Sequence, residues 1–193
     1  MRRVTVYCGS SIGSRSSYRR SAEDLGRTLA EKQLELVYGG GKVGLMGVLA
    51  ESCLRAGGRV TGVIPKFLVR KEIAHGGLSE LHVVESMHAR KKLMAELGDG
   101  FVALPGGVGT FEEWFEALTW AQLGHHSKPC ALLNVEHYFD PLMAMLQQGC
   151  EERFIRPEHL RMVICEGETR TLLAAMEGYV PPMVEKWLDL EKV

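Results

Sequence analysis

Phe101-Val102-Ala103-Leu104-Pro105-Gly106-Gly107-Val108-Gly109-Thr110-Phe111-Glu112-Glu113-Trp114-Phe115-Glu116-Ala117-Leu118 reads as three elements in immediate succession. Residues 101–104 are an apolar run with the length of a buried strand. Residues 105–109 are a turn of one proline, one valine and three glycines. Phe111, Trp114, Phe115 and Leu118 then recur at the spacing of one helical face. Strand, glycine turn and helix make up half of a strand–helix–strand unit, and the rest of the chain repeats the pattern.

Further apolar runs occupy residues 4–8, 34–38, 60–64, 81–84, 130–133 and 162–165. Amphipathic stretches separate most of them. Ala22, Leu25, Leu29 and Ala30 line one face of a first helix, and Asp140-Pro141 reads as an N-cap with proline in the first turn of a later one. Strands that are apolar on both faces and alternate with helices predict an α/β fold, a Rossmann-like, doubly wound parallel sheet with helices on both sides. The length of 193 residues, with no repeat or long linker, predicts a single domain over 1–193. Residues 179–193, with Pro181-Pro182 and Trp187, read as a C-terminal appendage.

Composition narrows the function. A net charge of −1 removes the electrostatic case for nucleic acid or an anionic membrane as main partner. Cys8, Cys53, Cys130, Cys150 and Cys165 are scattered and odd in number, which predicts reduced thiols and a cytoplasmic protein rather than a disulfide framework or a zinc site. The apolar run after Met1-Arg2-Arg3 is too short for a signal peptide and stops at Gly9-Ser10-Ser11, and no stretch approaches the ~18 apolar residues of a membrane span. No metal-ligand spacing is present, and no metal is expected.

In a doubly wound sheet, ligands sit beyond the carboxyl ends of the strands, where strand order reverses. Both glycine clusters fall at that edge. Gly39-Gly40-Gly41-Lys42-Val43-Gly44 follows the second strand and matches GxGxxG, but Ile64-Pro65-Lys66 stands where a dinucleotide site needs an acid. Two readings remain for this loop: a tight strand-to-helix turn, or a phosphate contact through Gly40 and Gly41. The second loop lacks the Walker spacing and instead offers a nest of N–H groups from Gly106, Gly107, Val108 and Gly109 with the Thr110 hydroxyl, suited to one monophosphate. Glu113 also has two readings. Thr110-x-x-Glu113 is a capping box, yet a carboxylate there lies within a sugar's reach of the nest. After the fourth strand, Ser86 reads as an N-cap followed by Arg90, Lys91 and Lys92, cations that oppose the helix dipole. Convergent donors, a phosphate nest and one carboxylate fit a sugar phosphate.

The segments YGGGKVGLMG (38–47), MHARKK (87–92), LPGGVGTFEE (104–113) and LTWAQLG (118–124) strongly resemble the Lonely Guy (LOG) phosphoribohydrolase family, formerly labelled lysine decarboxylase-like. The resemblance implies a Rossmann-like fold, a homodimer, no cofactor, and hydrolysis of the N-glycosidic bond of cytokinin riboside 5′-monophosphates or AMP to free base and ribose 5-phosphate. It implies Arg90 and Glu113 as catalytic residues. Glu72, Lys91, Thr119 and the loop Gly106, Gly107, Val108, Gly109 and Thr110 are implied to bind the substrate. Val108 stands where plant members usually have tyrosine, which bears on the base and not on the reaction. No donor for the leaving base is evident; His125 and His126 read as a surface turn, and Cys8 as core. A pyridoxal-dependent decarboxylase would need a recognisable Schiff-base lysine with partners for the cofactor ring. The alternative from another class is a non-catalytic protein that binds a nucleotide or sugar phosphate through the same loops. For a dimer contact, the helix carrying Trp114 and Trp120 is the candidate surface.

Overall fold

The computed structural model of the protein describes residues 1–69 and 74–182. Strands β1 (Arg3–Tyr7), β2 (Glu35–Tyr38), β3 (Val60–Pro65), β4 (Glu80–Val84), β5 (Gly100–Ala103), β6 (Cys130–Leu133) and β7 (Val163–Glu166) match the apolar runs to within one residue at each end. They form one sheet in the order β4-β3-β2-β1-β5-β6-β7, and every pairing is parallel. Parallel neighbours require crossovers, which α1 (Ser16–Glu31), α2 (Gly44–Arg55), α3 (Met87–Leu97), α4 (Val108–Gln122) and α5 (Asp140–Glu151) with the short α6 (Pro157–Leu160) supply; α7 (Thr169–Glu177) follows the last strand.

Alternation along the strands divides the core. Val4, Val6, Leu36 and Val102 point to one face and pack with Leu25 and Leu29 of α1, Leu49 of α2 and Leu172 of α7. Tyr7, Val37 and Phe101 point to the other and meet Met94 of α3 with Trp114 and Leu118 of α4. Each such fully buried side chain contributes ~1.5–3 kcal/mol by removal from water. Thr5 is the polar exception in β1; its hydroxyl donates to the Met94 carbonyl at 2.9 Å, which ties α3 to the sheet centre. Strand order reverses beside β1, which pairs with β2 on one side and β5 on the other. The loops leaving β1 and β5 therefore diverge, and a crevice opens between them.

Three details differ from the sequence reading. Asp140 is the first residue of α5 and not its N-cap; its carboxylate accepts from Asn134 Nδ2 at 2.7 Å, while Asn134 Oδ1 accepts the Phe139 N–H at 2.7 Å. Asn134 thus ties down Phe139 and Asp140 where the turn before α5 folds back onto it. Trp114 is buried, not a surface residue: its indole donates to the Ala131 carbonyl at 3.1 Å beneath α4. His126 is half-buried, packed on Phe101 at 5.2 Å, whereas His125 is exposed. Cys8, Cys53 and Cys130 are buried, and all five cysteines are free thiols. Among the described residues, no helix is long and apolar enough to cross a membrane. Most of the expected appendage, residues 183–193 with Trp187, lies outside the described residues, as does Glu72.

Candidate active site

α4 starts at Val108, with Gly107 in extended backbone before it, so Thr110 is the third helical residue. The capping box between Thr110 and Glu113 does not form, because the helix begins three residues before the position that spacing suggests. The first backbone bond of the turn runs from the Phe111 N–H to the Gly107 carbonyl at 3.2 Å. Helix geometry leaves the N–H groups of Val108, Gly109 and Thr110 without intrahelical acceptors, at the positive end of the helix dipole. A Cβ at Gly107 or Gly109 would meet nothing within 4 Å, and Val108 is 82% exposed. Gly106 is the opposite case: a Cβ there would lie 2.1 Å from Thr110 Oγ1 and 2.8 Å from the Gly9 nitrogen, so only glycine fits. The loop thus has a tightly packed base and an open rim of donors.

The loop after β2 is built differently. Gly39 gives its carbonyl to Arg90 Nη2 at 3.0 Å, Gly40 gives its carbonyl to the His75 N–H at 3.0 Å, and Gly41 bridges Ala74. In the first turn of α2, Leu45 donates its N–H to the Gly9 carbonyl at 3.0 Å. Gly44 holds φ +58, and a Cβ there would sit 2.4 Å from the Ser10 oxygen. These contacts give a tight turn in which the carbonyls of Gly39 and Gly40 are engaged within the protein. Gly9 also donates to the Pro105 carbonyl at 3.2 Å, so the segment after β1 is wedged between the two glycine loops. The sequence reading took Gly9-Ser10-Ser11 only as the end of an apolar run. Its signal was position: it follows the strand at which the order reverses.

Arg90 and Glu113 come together. Ser86 caps α3 as expected, accepting the Ala89 N–H at 3.1 Å, and this sets Arg90 on the second turn facing the sheet edge. Arg90 Nη1 lies 3.9 Å from Glu113 Oε1, with side-chain exposures of 6% and 12%. That is an ion pair, looser than a hydrogen bond, beside the open rim of α4. Its field reaches the end of β1. Burial pushes the Cys8 thiol up, Glu113 adds to the rise and Arg90 opposes it, so Cys8 stays protonated. The Tyr7 phenol is raised by burial first and by Glu113 next.

Lys91 turns the other way. Its ammonium is buried against α4, bonded to Glu112 and 3.1 Å from Glu116. Burial pushes its pKa down, but hydrogen bonds to Glu112 and Glu116 outweigh it and hold the pKa above the ordinary lysine value. Consecutive residues of α3 therefore pair with neighbouring residues of α4 in two rungs, Arg90 with Glu113 and Lys91 with Glu112 and Glu116. A lysine held as an ammonium by two carboxylates does not fit a Schiff base to pyridoxal phosphate, which needs a free amine. Lys92 is exposed and lies 3.9 Å from Glu96. Thr119 is exposed and stands about 9 Å further along α4 than Glu113, on a different side of the helix. Its own chain does not bring it to the loop. One residue not foreseen is Tyr138, whose hydroxyl donates to the Gly106 carbonyl at 2.6 Å. Tyr138, Tyr18, Ser10, Ser11, Ile12 and Gly106 line a cavity of about 240 Å³ at the crevice.

Comparison with known proteins shows the family. The family profile described as "Possible lysine decarboxylase" matches residues 46–176. A cytokinin riboside 5′-monophosphate phosphoribohydrolase of Rhodococcoides fascians is 54% identical over 165 residues, covering 84% of this chain and 83% of the relative. The cytokinin riboside 5′-monophosphate phosphoribohydrolase LOG1 of Arabidopsis thaliana is 44% identical over 180 residues, covering 93% and 84%. Among solved structures, the molybdenum cofactor carrier protein of Chlamydomonas reinhardtii superposes with a TM-score of 0.69 at 21% identity, covering 92% of this chain and 96% of that one. That likeness speaks to the fold alone.

Proposed function

The chain belongs to the Lonely Guy (LOG) family of phosphoribohydrolases, and we propose that it hydrolyses the N-glycosidic bond of adenosine 5′-monophosphates, plain or N6-substituted, to free base and ribose 5-phosphate. The observation that carries the site assignment is the buried pair of Arg90 and Glu113 beside the open, donor-rich start of α4. The 5′-phosphate sits on the N–H groups of Val108, Gly109 and Thr110, where the helix dipole favours an anion. Arg90, anchored on the Gly39 carbonyl, holds the ribose and phosphate oxygens through its planar guanidinium. As the C1′–N9 bond breaks, its electron pair leaves with the base and positive charge grows on the ribose. Glu113 stabilises that charge and takes the proton from the water that attacks C1′, while the departing base takes up a proton from solvent.

Lys91 meets the substrate only by exchanging one of its carboxylate partners; at rest it holds α3 against α4. Thr119 meets the phosphate loop of a second copy rather than its own, consistent with the homodimer we assign. The cleft for that copy runs between α3 and the end of α4, past His88, Lys92, Glu116, Trp120, Leu123 and Lys128. Its mix of both charge signs suits a self-complementary two-fold contact. The five free thiols suit a reducing cytosol.

The test is incubation of the purified protein with AMP and with its N6-isopentenyl derivative, followed by chromatography for free base. Release of base supports the hydrolase. Tight binding of either nucleotide without release makes the chain a nucleotide-binding protein instead.

A further inference from the structure

The turn between β6 and α5 is strained. Glu136 and His137, neither of them glycine, hold φ +52 and +60 in succession. Left-handed backbone at non-glycine residues is costly and persists where the surroundings over-determine it. Here they do: Asn134 accepts the Phe139 N–H and donates to Asp140, and His137 Nδ1 lies 3.1 Å from Asp140 Oδ2. The product of the strain is the placement of Tyr138. Its ring meets Tyr18 edge-on at 5.8 Å and stacks on Phe111 at 6.5 Å, and its hydroxyl lies 2.6 Å from the Gly106 carbonyl.

We infer that Tyr138 is a positioning residue for the phosphate, acting through the peptide between Gly106 and Gly107; this rests on the function proposed above. That peptide is trans, so its C=O and N–H point in opposite directions. Pinning the Gly106 oxygen to Tyr138 points the Gly107 N–H away from Tyr138, from the opposite edge of the peptide, where it extends the row of N–H groups at Val108, Gly109 and Thr110. The pin matters because both residues are glycine, the residue type with the most backbone freedom, and an unpinned peptide would be free to flip. The bond also polarises the amide, which strengthens its N–H as a donor. Thr110 and Gly9 already fix the Cα of Gly106 from below. Tyr138 fixes the one remaining freedom, the rotation of the peptide plane.

The experiment is Tyr138→Phe, which keeps the ring contacts and removes only the O–H. Affinity for ribose 5-phosphate, measured by calorimetry, should weaken fivefold to tenfold. KM for AMP should rise by the same factor while kcat stays within twofold and Tm is unchanged, as for lost uniform binding. Unchanged affinity for ribose 5-phosphate overturns the inference. So does a loss of affinity that comes with an equal fall in kcat and a lower Tm, the pattern of general loosening. Calorimetry needs no turnover. A chain that bound ribose 5-phosphate but released no base from AMP would refute the assigned reaction and still decide the role of Tyr138.

Discussion

In the loop after β2, Gly39 and Gly40 give their carbonyls to Arg90 and His75, and the first turn of α2 gives the Leu45 N–H to Gly9. In the loop after β5, Gly107 and Gly109 face open space, and helix geometry leaves the N–H groups of the first turn of α4 without intrahelical acceptors. Both are glycine clusters between a parallel strand and a helix, at the same edge of the same sheet. What separates them is what packs on top. The segment from Gly9 to Ser11 folds over the start of α2 and leaves the start of α4 uncovered. A glycine-rich turn is thus a capacity to bind phosphate, and tertiary packing decides whether the capacity is used or filled.

Substitutions can break this contrast at either loop. The largest effect is expected for Arg90→Lys, because Arg90 joins the two loops, anchored on Gly39 and paired with Glu113. Lysine loses the fork that serves both at once, and kcat/KM for AMP should fall by about 100- to 1,000-fold. A fall of less than about threefold would mean that charge alone suffices at this position. Next comes a matched pair of alanines. Gly44→Ala should destabilise the protein by roughly 2–4 kcal/mol in urea unfolding, through left-handed strain and the approach of Ser10. Gly107→Ala should leave stability within about 0.5 kcal/mol, since its backbone is extended and its surroundings are open, yet raise KM for AMP about tenfold by filling the ligand's space. Equal effects of the two alanines on stability would erase the distinction between the loops.

The smallest effect concerns the second rung between α3 and α4. Lys91 is held charged, with its pKa above the ordinary value, so its contribution is fully present below the unfolded pKa of about 10.4 and is lost as pH rises through the folded value. Wild type should exceed Lys91→Met by roughly 1–2 kcal/mol at neutral pH, and the gap should close in the alkaline range above the lysine pKa. A gap that persisted unchanged through that alkaline range would place the effect of Lys91 on packing and not on its charge.

Much of this architecture is legible in the sequence for a physical reason. The inner strands of a parallel sheet are covered on both faces, so β1, β2, β3, β5 and β6 stand out as short apolar runs. The edge strand β4 shows an apolar run although Leu81 and Val83 are exposed. The Ser86 cap is likewise a local rule followed locally. What escapes is whatever depends on distant partners. Spacing offers a capping box at Thr110 and Glu113, but the helix starts earlier because Gly107 is extended and Val108 is already helical. The pairing of Lys91 with Glu112 and Glu116 joins two helices across 21 or more residues of chain. Tyr138 meets Gly106 across 32 residues, from a turn whose positive φ angles fall on glutamate and histidine, where no glycine marks them. Trp114 shows a further limit: an aromatic on a helix facing a sheet has the same periodicity as one facing a partner.

The most direct test of the central claim is Glu113→Gln, assayed for release of adenine from AMP beside thermal unfolding. Glutamine keeps the shape of the side chain and removes the charge that Arg90 faces and the developing ribose cation needs. We predict that kcat falls by about 1,000-fold while the protein still binds AMP and remains folded. Near-native release of adenine, with a lowered melting temperature as the only change, would contradict the account and make Glu113 a structural residue.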